Sequence, residues 1–323
     1  MQKILFRADA GAGIGYGHFI RTLALADMLK DDFDCIFYTS EPTPYQVAQM
    51  KNVCSFVTLE EKYKFHQFLD CLKGDEIVVL DNYFYTTDYQ RRIKGKGCKL
   101  VCIDDMHDKH YVADLIINQG ICWIADDYSC EPYTRFAFGL QYSLLRKPFF
   151  EACNKRNEKK DNNGVQSIVV AFGGSDYLDL THKIVTGIKD MPIIKQITAI
   201  VGDCYSTDKI VACQKVEYRK NLSAAEIADL FLNTDVAILP ASTMMNEAMA
   251  CGTRIIGGFY VNNQEYDYYS YVKENMIIGV GDYSDDDCVE RVKVALSRKD
   301  ITVVNGITSD TPCRMVELFK RLK

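Results

Sequence analysis

Two doubly wound parallel-sheet domains of the α/β class are what this 323-residue sequence predicts, and three observations predict them. Short, nearly continuous apolar runs alternate with amphipathic segments along the whole chain, the pattern of parallel strands covered on both faces by crossover helices. The series is interrupted once, by a polar and charged stretch at 154–166. Several of the apolar runs end in Gly, Asp or Ser, as expected where strands hand over to helices at the ligand edge of such a sheet.

The first series opens with 3–10 (KILFRADA), a strand that runs into the glycine loop GAGIGYG at 11–17 and then a helix to about residue 30. Further strand runs are CIFYT (35–39), IVVLD (77–81), KLVCID (99–104) and ADLIIN (113–118). They are short and rich in β-branched residues. The stretch NKRNEKKDNNGVQ at 154–166 reads as a linker, dividing a first domain at 1–153 from a second at 167–323. The second series then runs SIVVAFGG (167–174), QITAIVG (196–202), VEYR (216–219), DVAILPAS (235–242), RIIGGFYV (254–261) and MIIGVGD (276–282). Between them AAEIADLFLN (224–233) and MNEAMAC (245–251) read as helices, and a last helix at 312–323 is placed to pack back on the first domain. Two such halves should face each other across a cleft, because ligands bind at the carboxyl ends of parallel strands.

Composition narrows the class. Hydrophobic residues make up 48% and charged residues 25%, which excludes a disordered or fibrous chain. The net charge of −6 offers no general attraction to nucleic acid or an anionic membrane, so neither is expected as a partner, and no obligate protein partner is evident. No apolar stretch reaches the roughly 18 residues of a spanning helix, and no signal peptide is recognisable; a cytoplasmic location is expected. The 13 cysteines are scattered with no Cys-x-x-Cys pair. They read mostly as small core hydrophobes in a reducing compartment. No His/carboxylate set suggests a metal.

The strongest constellation runs from Asp9 to His18, DAGAGIGYGH, between a strand and a helix. Its glycines, Gly15 and Gly17 among them, allow a sharp turn and close approach to a ligand, and the helix start suits a pyrophosphate. No window satisfies G-x-G-x-x-G, and the Lys and Ser/Thr of a Walker loop are absent, so neither NAD nor ATP is indicated and no cofactor is expected. His18 falls in the first helical turn, where the dipole disfavours imidazolium and leaves a ring usable as a base. Asp9 is placed to orient it. A helix-start histidine can also simply cap or pack, but the glycine loop at the ligand edge favours the functional reading.

Asp81-Asn82-Tyr83 and Asp104-Asp105 follow two strand runs and can either face substrate or close the turns as caps. In the second half Gly173-Gly174-Ser175-Asp176 makes either an anion-friendly turn or a capped strand-to-helix turn. Ser242 or Thr243 can cap the helix that follows, with Asn246 and Glu247 near its first turn and Glu247 suited to a ribose diol; a favourable dipole contact is the plainer alternative. Asn263 and Gln264 lie at another strand end, where amides bind polar sugar groups. The cluster YDYYSY (266–271) is expected to offer one packing face and one exposed face.

Taken in order, GIGYGHFIR, DNY, IDD, FGLQYSLLR, AFGGSD, ASTMMNEA and YVNNQ resemble the nucleotide-sugar hydrolases of pseudaminic acid biosynthesis. Those enzymes convert UDP-2,4-diacetamido-2,4,6-trideoxy-β-L-altropyranose to free sugar and UDP. The resemblance spans about residues 3–270 and implies a GT-B glycosyltransferase-like fold. It implies His18 as general base, with Tyr83 and Asn263 as further catalytic residues. Arg146, closing FGLQYSLLR, and the helix start from Ser242 to Glu247 match substrate and UDP positions. Asn82 stands where relatives carry histidine in D-H-Y, which bears on sugar specificity. The implied reaction is a single displacement by water with inversion at C1, needing no metal because UDP is already a good leaving group. The alternative is a GT-B glycosyltransferase using the same donor and an alcohol acceptor; a non-catalytic UDP-sugar-binding regulator ranks third, since the His18 loop is intact.

Overall fold

The computed structural model describes residues 1–11, 15–156, 166–174, 176–202, 205–298 and 306–322. The chain divides into two compact units, Met1–Lys147 with Asp310–Lys323, and Pro148–Ser309.

The first unit runs β1 (Lys3–Ala8), α1 (Gly17–Leu29), β2 (Asp34–Ser40), α2 (Pro44–Lys51), β3 (Ser55–Leu59), α3 (Lys64–Cys71), β4 (Ile77–Asp81), α4 (Thr87–Gly95) and β5 (Lys99–Ile103). It continues through the short β6 (His110–Tyr111), then β7 (Leu115–Asn118), the short β8 (Ser129–Cys130) and β9 (Arg135–Phe138). Among the described residues its main sheet has the order β3-β2-β1-β4-β5-β7-β9, with every pair parallel. Strand order therefore reverses between β1 and β4, which is where such sheets bind ligands. Alternation along the strands divides the core into two layers. Ile4, Phe6 and Ala8 of β1 with Ile77 and Val79 of β4 pack towards α1. Leu5 of β1 with Val78 and Leu80 of β4 packs on the opposite face, against Phe68, Tyr85 and Tyr89.

The second unit contains α5 (Lys147–Lys155, entered from the last residue of the first), β10 (Ser167–Ala171), α6 (Leu180–Ile188), β11 (Gln196–Ile200), β12 (Val216–Arg219), α7 (Ala224–Leu232) and β13 (Val236–Pro240). It ends with α8 (Thr243–Ala250), β14 (Arg254–Phe259), α9 (Asn262–Lys273), β15 (Ile278–Asp282) and α10 (Cys288–Leu296). Its parallel sheet has the order β12-β11-β10-β13-β14-β15, reversing between β10 and β13. In α9, Tyr268 and Tyr271 are buried while Tyr266 and Tyr269 are more than half exposed, the two faces expected of that cluster.

The division differs from the expected one after residue 153. It falls after Lys147 because the end of α5 is tied to the second unit: the Cys153 thiol and Arg156 Nη1 both donate to the carbonyl of Ile307, the latter at 2.9 Å. Residues 154 and 155 are helical, and 157–165 of the expected linker lie outside the described residues. The last helix, α11 (Thr311–Lys320), counted with the second domain but expected to pack back on the first, belongs to the first unit. Met315 and Phe319 enter the core beside α1, Phe319 meets Phe33 edge-on at 6.3 Å, and Lys320 pairs with Asp32 at 3.0 Å. Six of the twelve described cysteines are buried and all twelve are free, so the reading of them as mostly core residues holds for half. Among the described residues no helix is long and apolar enough to cross a membrane.

Candidate active site

Gly15 N–H donates to the carbonyl of Gly11 at 2.8 Å, and Gly15 takes φ +77°, a conformation glycine adopts without strain. Helix α1 then starts at Gly17 with no side-chain cap, and His18 is its second residue. His18, Arg21 and Thr22 stand at i, i+3 and i+4, one face of the helix, and that face turns to the end of β4.

All three converge on Asp81. His18 Nδ1 lies 2.7 Å from Asp81 Oδ1, and Arg21 grips both carboxylate oxygens, Nη2 to Oδ1 and Nε to Oδ2, each at 2.6 Å. Thr22 Oγ1 donates to Oδ2 at 2.9 Å. Asp81 is 1% exposed. Burial alone pushes such a carboxyl upwards, but the charge of Arg21 and the His18 ring outweigh it and hold Asp81 well below the usual carboxylate range. An ionised carboxylate only accepts hydrogen bonds, and two lone pairs 2.7 Å apart would repel, so the proton of this contact belongs on His18 Nδ1. In the neutral ring Nε2 is then the nitrogen with a lone pair.

The cluster extends to the next strand. Arg21 Nη1 donates to Asp105 Oδ2 at 2.8 Å, and the Tyr83 hydroxyl donates to the same oxygen at 3.3 Å. Tyr83 also meets the His18 ring edge-on at 4.6 Å between centroids. His18, Asp81, Tyr83 and Asp105 thus form one connected group around a single guanidinium.

Asp9 is not the carboxylate that orients His18. Register pairs Ala8 with Asp81, so Asp9 is one residue out of step and its side chain points to the opposite sheet face. There Arg7 grips it through both guanidinium nitrogens, Lys64 Nζ approaches to 3.0 Å, and Ser40 N–H donates at 2.8 Å. Burial opposes ionisation, but the Arg7 bond and charge, Ser40 and Lys64 outweigh it and bring the carboxyl from 3.8 to about 2. Asn82 joins the same corner, its side-chain oxygen accepting from Asp9 N–H at 2.8 Å. Asp9 and Asp81 are therefore both saturated by protein groups, Asp9 as framework on the face away from His18 and Asp81 as the carboxylate that holds His18. Asp104 is also structural: it accepts from the hydroxyls of Tyr111 and Tyr128 and from the N–H groups of Met106 and His107. Arg146 is half-buried immediately before α5.

In the second unit, Gly173 (φ +81°) and Gly174 are exposed after β10, while Ser175 lies outside the described residues. Asp176 closes this turn by accepting from Leu180 N–H and Thr181 N–H, both at 2.9 Å, so it caps α6. Ser242 occupies the N-cap position of α8 but makes no side-chain cap bond, and Glu247 falls in the second turn, not the first. Asn246 and Glu247 are buried, Asn246 Oδ1 accepting from the Tyr271 hydroxyl at 2.9 Å. Asn263 is exposed in the first turn of α9; Gln264 Oε1 accepts from Tyr260 N–H at 3.1 Å and so closes the turn into that helix. Arg21 and Thr22 were not singled out from sequence, although the H-x-x-R-T spacing on α1 carried their signal; Asp105 was, as facing substrate or closing a turn, and it pairs with Arg21. Among the described residues no group of three or more His, Cys, Asp or Glu could hold a metal ion.

Two doubly wound parallel sheets, each reversing between its first and fourth strands, define the GT-B type of fold. The structure of MurG from Acinetobacter baumannii superposes with a TM-score of 0.66 over 99% of this chain and 100% of that one, at 11% identity. The chain is similar to the UDP-2,4-diacetamido-2,4,6-trideoxy-beta-L-altropyranose hydrolase of Campylobacter jejuni, 26% identical over 277 residues that span 82% of this chain and 94% of that protein. This bears out the resemblance read from the seven ordered motifs. The spore coat polysaccharide biosynthesis protein SpsG of Bacillus subtilis is 24% identical over 284 residues, 85% of this chain and 82% of that one. No family model matches the chain.

Proposed function

We propose that this protein is a nucleotide-sugar hydrolase that releases UDP and the free sugar from a UDP-linked 2,4-diacetamido-2,4,6-trideoxy sugar of the altropyranose type, a step of pseudaminic acid biosynthesis. The observation that carries the reading is the His18–Asp81 pair at 2.7 Å, set at the strand-order reversal beside a glycine turn. The similarity to the Campylobacter jejuni hydrolase supports the substrate class.

In this reaction His18 Nε2 takes a proton from water as its oxygen bonds to the sugar C1. The bond from C1 to the UDP oxygen breaks, its electron pair leaves with UDP, and the anomeric centre inverts. The imidazolium that forms is stabilised by Asp81, which stays ionised. Tyr83 and Asn263 are assigned to the reacting sugar and water, and Gly15, Gly17 and Arg146 to the sugar side of the substrate. UDP is assigned to the second unit: the turn of Gly173, Gly174 and Ser175, the α8 start from Ser242 through Asn246 to Glu247, and Gln264.

Proton NMR of the protein with UDP-2,4-diacetamido-2,4,6-trideoxy-β-L-altropyranose and no acceptor tests this. Free sugar and UDP should appear together, the inverted anomer first. Tight binding without turnover, relieved by an added alcohol, would replace the hydrolase with a glycosyltransferase.

A further inference from the structure

We propose that Arg21 is a positioning residue, which holds Asp81 against His18 and Asp105 against Tyr83 so that the base and the tyrosine are set as one unit. The inference rests on the assignment of His18 as the base. It starts from the geometry of one guanidinium: Nε and Nη2 take the two oxygens of Asp81 at 2.6 Å, and Nη1 takes Asp105 Oδ2 at 2.8 Å. Asp81 ends β4 and Asp105 lies two residues beyond the end of β5, outside the paired register of the two strands, and the arginine links them from α1.

Its consequence for His18 is a fixed proton. With Arg21 on both oxygens and Thr22 on Oδ2, the Asp81 carboxylate cannot rotate, and its remaining acceptor direction on Oδ1 points at His18 Nδ1. Arg21 Nη2 also stands 3.1 Å from Nδ1, and a guanidinium nitrogen has no lone pair to accept that proton, so Asp81 is its partner. The consequence for Tyr83 is position: its hydroxyl is held on the oxygen of Asp105 that Arg21 holds, and its ring lies edge-on to His18 at 4.6 Å. Lysine cannot replace this arrangement, because an ammonium is a point donor and cannot hold three oxygens of two carboxylates in one plane.

Two measurements test the proposal, one of them independent of turnover. Arg21→Lys keeps the charge of this buried site and is the variant expected to fold; Arg21→Gln is the harsher change. Both should lower kcat roughly 100-fold, the scale of a misplaced catalytic group, with KM and UDP affinity within about threefold. Added guanidinium should restore part of the kcat of Arg21→Gln and none of that of His18→Ala. In parallel, imidazole ¹⁵N spectra should show the His18 proton on Nδ1 in the resting wild-type protein and a mixture of Nδ1 and Nε2 forms in either arginine variant. A folded Arg21→Lys variant with wild-type kcat and an unchanged His18 spectrum overturns the proposal. Should the wild-type protein fail to turn over the substrate, the base assignment falls, while the ¹⁵N comparison still decides whether Arg21 sets the histidine.

Discussion

Replacing Asp81 by Asn is the most informative single change, because it keeps the shape of the side chain and alters its hydrogen-bonding sense. Asp81 accepts four bonds, two from Arg21 and one each from His18 and Thr22, at 2.6 to 2.9 Å. In Asp81→Asn the amide nitrogen faces donors from which it cannot accept, and Arg21 keeps only Asp105 as a counter-charge. Breaking a buried ion pair from one side costs on the order of 3 kcal/mol of stability. The catalytic cost is larger. The amide can satisfy itself by donating to His18 Nδ1, which moves the ring proton to Nε2 and removes the lone pair that accepts from water; the corresponding change in a serine-protease triad costs about 10⁴ in kcat. We therefore expect kcat for Asp81→Asn to fall at least about 10³-fold, with UDP affinity measured calorimetrically within about threefold. Urea unfolding supplies the stability difference, and Thr22→Val, which removes one bond to Asp81 for about 1 kcal/mol, serves as a folded control. A folded Asp81→Asn protein with kcat within tenfold of wild type would refute the His–Asp reasoning.

His18→Ala should bind UDP as wild type does while losing hydrolysis by about 10² to 10⁴-fold, the worth of a general base; equal turnover would remove His18 from the mechanism. Asp9 links stability to acid. Its carboxyl falls from 3.8 unfolded to about 2 folded, so it contributes about 2 kcal/mol above pH 4 that is lost as pH drops through 2. Urea unfolding of wild type and Asp9→Asn between pH 7 and 2.5 should therefore converge as acid is added, and parallel curves would contradict the assignment. Gly202→Ala should destabilise the second unit by about 1 to 3 kcal/mol, because a Cβ there would overlap the Gly174 carbonyl oxygen; unchanged thermal unfolding together with unchanged UDP affinity would show that this turn gives way easily.

The strands covered on both faces are plainest in the sequence: all five residues of IVVLD in β4 are buried, and VAILP in β13 likewise, although the edge strand VEYR of β12 was also read. Those it did not announce are β3 and β9, at the two edges of the first sheet, and the two-residue β6 and β8. SFVTL is largely exposed and RFAF carries only one fully buried residue, so neither shows the apolar run that interior strands need. The site divides in the same way. His18 stood out because a glycine loop and a helix start mark it locally. Arg21 did not, and Asp105 was read only as facing substrate or closing a turn, since an arginine on a helix and an Asp after a strand look like many others until a fold places them within 2.8 Å.

What the sequence determined by itself was therefore what local chemistry encodes: the period of the apolar runs, the two α/β series, the glycine loop and the histidine that follows it. Tertiary structure alone decided which carboxylate serves that histidine. Ala8 and Asp81 share a sheet face and Asp9 lies on the other, a consequence of strand register that no residue carries in isolation. It also supplied the partners of the last helix, which the sequence only expected to pack back on the first domain: the apolar face of α11 is matched by α1 and Phe33, nearly three hundred residues earlier in the chain.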